Sequence, residues 1–388
     1  MAATQATWDQ QDQEALAFEL AQAALAAAAV RKASAALTAT ILLELRTARA
    51  IVPTGPLPGR VQDRLRRLLA ARVPHLAVDI QPAVDKAVER AVRLAWRQEA
   101  DALDGLGIPM PDRAEVLSAV LDDPLLKHAG RDAARNLVAH VDRAAETVAR
   151  MPLLTDAQVR AAIARAAAPV ATVERDVRTA ANRAINTTTV EIVKAAAPPP
   201  TAELPVDTPT VEEGRTGLTG QPPGSTGQPP AGAAEPPEAA PDIRVVWVAE
   251  RQACLTCKAL SGQVADPSSG LWFDEFATFS PHGAPPVWPP DQPLTGPPRH
   301  PHCRCRLRVI AAANTMVPAA LQREAQRAVL RGWSDHDSRR ARLTAADRLL
   351  IRGTGLPITV QNRAAVDVAR GRFSTRHRPR APFLRADA

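Results

Sequence analysis

The only four cysteines in this chain of 388 residues fall in two tight pairs. The first is Cys254-Leu255-Thr256-Cys257, and the second closes the run His300-Pro301-His302-Cys303-Arg304-Cys305. A Cys-x-x-Cys turn brings two thiolates within reach of one ion, which suits tetrahedral zinc. In an extended strand Cys303 and Cys305 would point to the same face, so both could reach that ion. His300 and His302 stand beside them as further donors. The candidate metal ligands are therefore Cys254, Cys257, His300, Cys303 and Cys305. A site filled by four protein donors leaves no position for water and is structural, not catalytic. A disulfide between the two pairs is the alternative reading, and four plain buried thiols a third. The halves are separated by residues 258–302, a longer spacing than in fingers or ribbons.

Catalytic patterns are missing around these residues. A zinc deaminase places His-x-Glu ahead of its Pro-Cys-x-x-Cys, whereas here Val248-Ala249-Glu250 and Ala253 precede Cys254. No His-Glu-x-x-His occurs. A zinc-dependent nuclease needs an open metal position beside an acid or base, for which His282, His300, His302 and Asp291 are the nearby candidates. The expectation is a non-enzymatic protein with a structural zinc and no catalytic residue. A nuclease-like enzyme and a zinc-module DNA-binding protein stand as alternatives.

The elements that must position the cysteines are mostly helical. Alanine and arginine, both strong helix formers, are abundant, while aromatics make up 3% of residues and tyrosine is absent. Residues 9–51 read as one long Ala-rich helix, broken by Pro53, Gly55, Pro56, Pro58 and Gly59. Helices follow over 60–72, 83–101, 112–150 and 155–196, with Thr155-Asp156-Ala157-Gln158 as an N-terminal capping box. The 83–101 helix carries Val84, Ala87, Val88, Ala91, Leu94 and Ala95 on one face. Residues 197–242 hold twelve of the thirty-six prolines and six glycines, the composition of a disordered linker.

After the linker, Ile243 to Val248 reads as a strand and Leu307 to Ile310 as a second. Six of the twelve aromatics lie between Trp247 and Trp288, enough for a small core around the clamp. Helices return at Ala319–Arg331, Ala341–Ile351 and Asn362–Ala369, and the last dozen residues read as frayed. The fold class is thus mainly α: a helical body (1–196), a Pro/Gly-rich linker (197–242), a small α+β Cys/His module (243–312) and a basic helical C-terminal region (313–388).

Charge is unevenly spread. Residues 303–388 carry eighteen Arg against six Asp or Glu, and the preceding residues sum to −5. A basic end fits nucleic acid or an acidic protein surface. Arginine can neutralise phosphates of any sequence, and the candidates for non-specific duplex DNA are Arg370, Arg372, Arg376, Arg378 and Arg380. Arg304, Arg306 and Arg308 are further candidates, or else plain strand surface. The N-terminal residues lack a basic and apolar leader, and no stretch is apolar enough to span a membrane. The reading is a reducing cytosol, where clustered cysteines favour metal over disulfide.

Several of these residues resemble one known family. Trp247, Cys254-x-x-Cys257, Leu260-Ser261-Gly262, a Pro-rich loop and Pro297-Pro298-Arg299-His300-Pro301-His302-Cys303-Arg304-Cys305 are similar to the phage head morphogenesis family, the MuF-like minor capsid proteins of tailed phages. That family ends its motif in His-Pro-x-Cys-Arg-Cys. The helix from Arg175 to Lys194, through Arg178-Thr179-Ala180-Ala181-Asn182, resembles the family's Arg/Thr/Ala/Asn-rich helix. The resemblance spans roughly 170–312, and the linker sets helix and Trp247 further apart than the family pattern does. It implies a virion protein in the capsid interior or at the portal vertex, in the host cytoplasm during assembly. Its partners would be the portal protein and a scaffold or major capsid protein, and its work capsid assembly and DNA packaging or ejection.

Overall fold

The structure, a computed structural model, describes residues 2–51, 58–71, 73–150, 161, 170–196, 242–273, 293–300, 303–334, 337–372 and 383–386. It is mainly helical with one small sheet. The Ala-rich N-terminal run forms α1 (Ala2–Ile51), followed by α2 (Gly59–Ala70) and α3 (Val73–Asp104). All six residues of the expected α3 face are buried, and the helix runs through Pro82 to begin ten residues earlier than the periodicity implied.

The expected 112–150 helix is three helices: α4 (Arg113–Leu121), α5 (Pro124–Lys127) and α6 (Ala129–Arg150). The cause is local. Asp112 and Asp123 cap α4 and α5, accepting from the backbone N–H of Ala114 and Leu125, both at 2.9 Å. Pro124 then occupies the first turn of α5, where its missing N–H costs nothing. The capping box expected at Thr155 lies outside the described residues.

The next helix, α7 (Val170–Ala196), is the axis of the molecule. It packs on α1, α3, α4 and α6 along its length and on the sheet as well. Val173, Val177, Ala181, Ala184, Ile192 and Val193 are fully buried, and so are the polar Asn182, Asn186, Thr188 and Thr189. Polar groups buried this deeply must find hydrogen-bond partners within the protein. Thr188 donates to its own helix at the Ala184 carbonyl (2.7 Å), and Thr189 donates to the Glu99 carboxylate of α3 (2.9 Å).

The sheet holds β1 (Ile243–Val248), β2 (Val264–Ala265) and β3 (Arg306–Ala311) in the antiparallel order β2-β1-β3. Trp247 pairs with Leu307, and its ring meets Phe273 edge-on at 5.2 Å. Phe276, Phe279 and Trp288, expected in the same core, lie outside the described residues. Between β1 and β2 sits a one-and-a-half-turn helix, α8 (Leu255–Leu260). Gly262, with φ +80°, turns the chain from α8 into β2, and a Cβ there would meet the Pro318 carbonyl at 2.4 Å.

The C-terminal helices are α9 (Met316–Leu330), α10 (Arg339–Arg352) and α11 (Ile358–Ala369). The chain end departs from its sequence reading. Phe383 and Leu384 are buried, Phe383 bridges to Glu250, and the Leu384 N–H donates to the Ala249 carbonyl at 3.0 Å. Arg385, expected in a frayed tail, lies 3.7 Å from Asp9 of α1. Two apolar side chains and a backbone bond hold this segment against the end of β1, which Arg-rich composition could not reveal.

Candidate metal centre

The two cysteine pairs come together where α8 meets the entry to β3. Cys254 is the N-cap of α8, with its Sγ 3.5 Å from the Cys257 backbone nitrogen. One helical turn places residues three apart on the same face, so both thiols of the pair look the same way. The start of α8 is also held from the C-terminal region, since the Leu255 N–H donates to the Asp337 carboxylate at 3.0 Å. On the other side, Cys303 donates its N–H to the His300 carbonyl (3.0 Å), a tight turn that folds the imidazole back over the cysteines.

The His300 Nε2 lies 3.2 Å from Cys254 Sγ and 3.3 Å from Cys257 Sγ, and Cys257 and Cys303 sulfurs are 3.8 Å apart. A tetrahedral ion with bonds of about 2.3 Å to sulfur and about 2.05 Å to nitrogen sets its donors about 3.8 and 3.6 Å apart. The sulfur–sulfur separation matches that frame, and the two nitrogen–sulfur separations fall about 0.3–0.4 Å inside it. A disulfide needs about 2.05 Å between sulfurs, and all four cysteines are free thiols. The donors form two overlapping triads, Cys254–Cys257–His300 and Cys257–Cys303–Cys305, each within 4.8 Å. Cys257 belongs to both. These five residues could hold a metal ion. His302, His282 and Asp291 lie outside the described residues.

Their protonation alternates. Hydrogen bonding from the Cys257 side chain, helped by His300 and opposed by burial, holds Cys254 down at about 5. Cys303 is held well below the ordinary thiol value by bonds from Cys257 and then Cys305. Cys257 is pushed well up because it donates to Cys254, and burial pushes Cys305 up. Metal ligation needs the thiolate form, so binding at the cysteines pushed upward releases protons.

Around the donors the backbone is pinned by α7. Asn186 accepts from the Leu307 N–H (2.7 Å) and donates to the Cys305 carbonyl (3.3 Å), bracketing Arg306. Its amide also donates to the Asn182 side chain (2.9 Å), which donates in turn to Glu19 of α1 (3.4 Å). The helix and the cysteine motif therefore pack directly, despite the long segment between them in sequence.

Two of the arginines weighed for DNA are placed elsewhere. Arg306 pairs with Glu19 and Arg308 with Asp12, in ion pairs whose four side chains are each 3% exposed or less. They cannot reach a phosphate and are neither DNA ligands nor strand surface. Burial pushes the Asp12 carboxyl up even against the opposing pull of Arg308, and it raises Glu99 in the same way. For Arg306, burial works against the charge, but Glu19 together with Asp12 and Cys303 offsets it and the net shift is upward. Arg304 keeps about a third of its side chain in solvent, 3.8 Å from Glu250. At the end of α11, Arg370 and Arg372 are exposed, whereas Arg376, Arg378 and Arg380 lie outside the described residues.

Sequence reasoning did not single out Asn186, Asp337, Asp12 or Glu19. The first two act through backbone contacts that no spacing encodes. Asp12 and Glu19 carry a weak signal: they stand seven apart, on the same side of α1 as the buried Ala15.

The molecule is thus a mainly helical body packed on a small α+β Cys/His module. Comparison with protein-family models, with curated proteins and with solved structures found no match. Among the described residues no helix is long and apolar enough to cross a membrane.

Proposed function

We propose that this chain is a non-enzymatic phage head morphogenesis protein of the MuF-like minor capsid type, whose Cys/His module is closed by one structural zinc. The candidate ligands are Cys254, Cys257, His300, Cys303 and Cys305, whose two triads share Cys257. Zinc there would supply no reaction. It would fix α8 to the entry of β3 and leave no coordination position for substrate.

The observation that carries the reading is the direct seating of the cysteine motif on α7 through Asn186. Both pieces of the family resemblance, the Arg/Thr/Ala/Asn-rich helix and the Cys-Arg-Cys ending, then belong to one structural unit. In this reading the helical body meets the portal and a scaffold or major capsid protein. The exposed Arg370 and Arg372, with Arg376, Arg378 and Arg380, meet duplex DNA without reading its sequence.

Co-expression with the portal, scaffold and major capsid proteins of the same phage tests the assignment. The expected result is a few copies of the chain in assembled heads, lost when Cys257 is replaced by serine. Heads assembled without the chain, or metal-dependent DNA cleavage that disappears in His300→Ala, would overturn it.

A further inference from the structure

Away from the residues of these pairings, α3 and α5–α6 line an open groove of about 920 Å³. We propose that it is a docking site for an acidic amphipathic helix of a partner chain. This stands whether or not the phage reading does, because it uses none of the cysteine module.

The two walls differ in chemistry. One is the outer face of α3, where Ala77 and Val78 stand above a floor of Val88 and Leu126. Val78 is 72% exposed and the neighbouring Leu121 40%, more than isolated surface apolar residues need to be. The only acid in this wall, Asp85, has its carboxylate engaged by the Gln81 amide at 2.6 Å. The opposite wall is cationic: Lys127, Arg131 and Arg135 recur every four residues along the groove, with His128 beside them.

Those cations are available. Lys127 and Arg135 have loose, exposed neighbours, Asp122 at 3.8 Å and Asp132 at 3.5 Å, with both arginine and lysine side chains 63% exposed. Exposed pairs of this kind contribute little, so a better-placed carboxylate can replace them. Arg131 has no carboxylate at ion-pair distance among the described residues.

An apolar wall facing a cationic stripe complements a helix whose apolar face is flanked by carboxylates, read at the i, i+3, i+4 and i+7 positions. The α3 wall from Pro74 to Val88 is about 21 Å long at 1.5 Å per residue, which matches a helix of about fourteen residues. Duplex DNA fits poorly, since its phosphates would face one wall and leave the apolar one without a partner. The groove is also built in: a Cβ on Gly130 would lie 2.8 Å from Gln81 Cα, so glycine lets α6 start hard against α3.

The test uses the full chain and a labelled fourteen-residue helical peptide with leucines on one face and glutamates along its flank. A twin peptide carries lysines for the glutamates. The glutamate peptide should bind at least tenfold tighter than its twin. Arg131→Glu/Arg135→Glu should reverse that preference, and Val78→Asp should weaken both peptides; all three positions are exposed, so the fold survives. Equal binding of the two peptides, glutamate-peptide binding untouched by the variants, or no binding of either would overturn the proposal. Displacement of the peptide by duplex DNA, or self-association of the chain abolished by the double arginine variant, would also overturn it by assigning the groove another occupant.

Discussion

The α3–α7 interface and the β3–α1 interface both bury β- or α-surface against helix, yet they are built from opposite materials. α3 and α7 bury mainly small apolar residues, Val84, Ala87, Ala91 and Val92 on one and Val177, Ala181, Ala184 and Ile185 on the other, with the Thr189–Glu99 hydrogen bond between the two helices. Between β3 and α1 the contact is charged: Arg306 and Arg308 meet Glu19 and Asp12, with the cysteine cluster one residue away. Apolar packing degrades gradually as atoms are removed. A buried ion pair fails abruptly, because losing one partner strands the other charge without water. Body stability is therefore distributed over many weak contacts, whereas the seating of the module depends on a handful of groups.

The sharpest way to break that contrast is at the cysteine belonging to both triads. Cys257→Ser should abolish stoichiometric metal and unfold the module, because a structural zinc site contributes on the order of 10 kcal/mol to folding. Limited proteolysis should then cut within 243–312 while the helical signal in circular dichroism largely persists.

Next in size is the ion pair. Arg306→Met should cost up to about 3–5 kcal/mol, because it removes the nearest cation from buried Glu19 and leaves it only Arg178 at 3.9 Å and the Asn182 amide at 3.4 Å. Pairing it with Glu19→Leu should recover most of the loss in denaturant unfolding. If the single and double variants were equally unstable, the charged interface would be no more demanding than the apolar one.

A smaller loss is expected at the chain end. Leu384→Ala removes a fully buried side chain from the end of β1 and should cost about 2–4 kcal/mol. On the apolar side, Ala91→Gly should cost only about 1 kcal/mol, mainly through backbone entropy. The last effect is pH-dependent in direction. The Glu99 carboxyl is raised in the folded state by burial, so its contribution to stability is lost as pH rises from the usual carboxylate range. Glu99→Gln should therefore gain stability relative to the parent between pH 4 and pH 8, and a constant difference across that range would contradict the burial argument.

Much of this was legible in the residues. The 3.6-residue apolar period of α3 marked its buried face, β1 was bounded by its own β-branched run, and the two cysteine pairs announced a shared site. Other features were not legible, for physical reasons. Capping by Asp123 ahead of Pro124 split a helix whose apolar pattern continued across the break. Arg306 and Arg308 looked like solvated strand charges because their carboxylate partners lie nearly three hundred positions away in sequence. The docked Phe383 and Leu384 followed an Arg-rich stretch that composition marks as solvated. His300 and His302 could not be separated as ligands by spacing alone; the turn at Cys303 brings the His300 ring to the sulfurs.

The central claim is that the cysteine–histidine cluster is a closed clamp on which the module depends. Metal analysis of the full chain, with the absorption spectrum of its cobalt-substituted form, tests it directly. One ion per chain is expected, with a tetrahedral spectrum, intense thiolate bands, and unfolding of the module when the metal is chelated. A metal-free chain whose module stays folded, or a cobalt spectrum showing bound water, would contradict it.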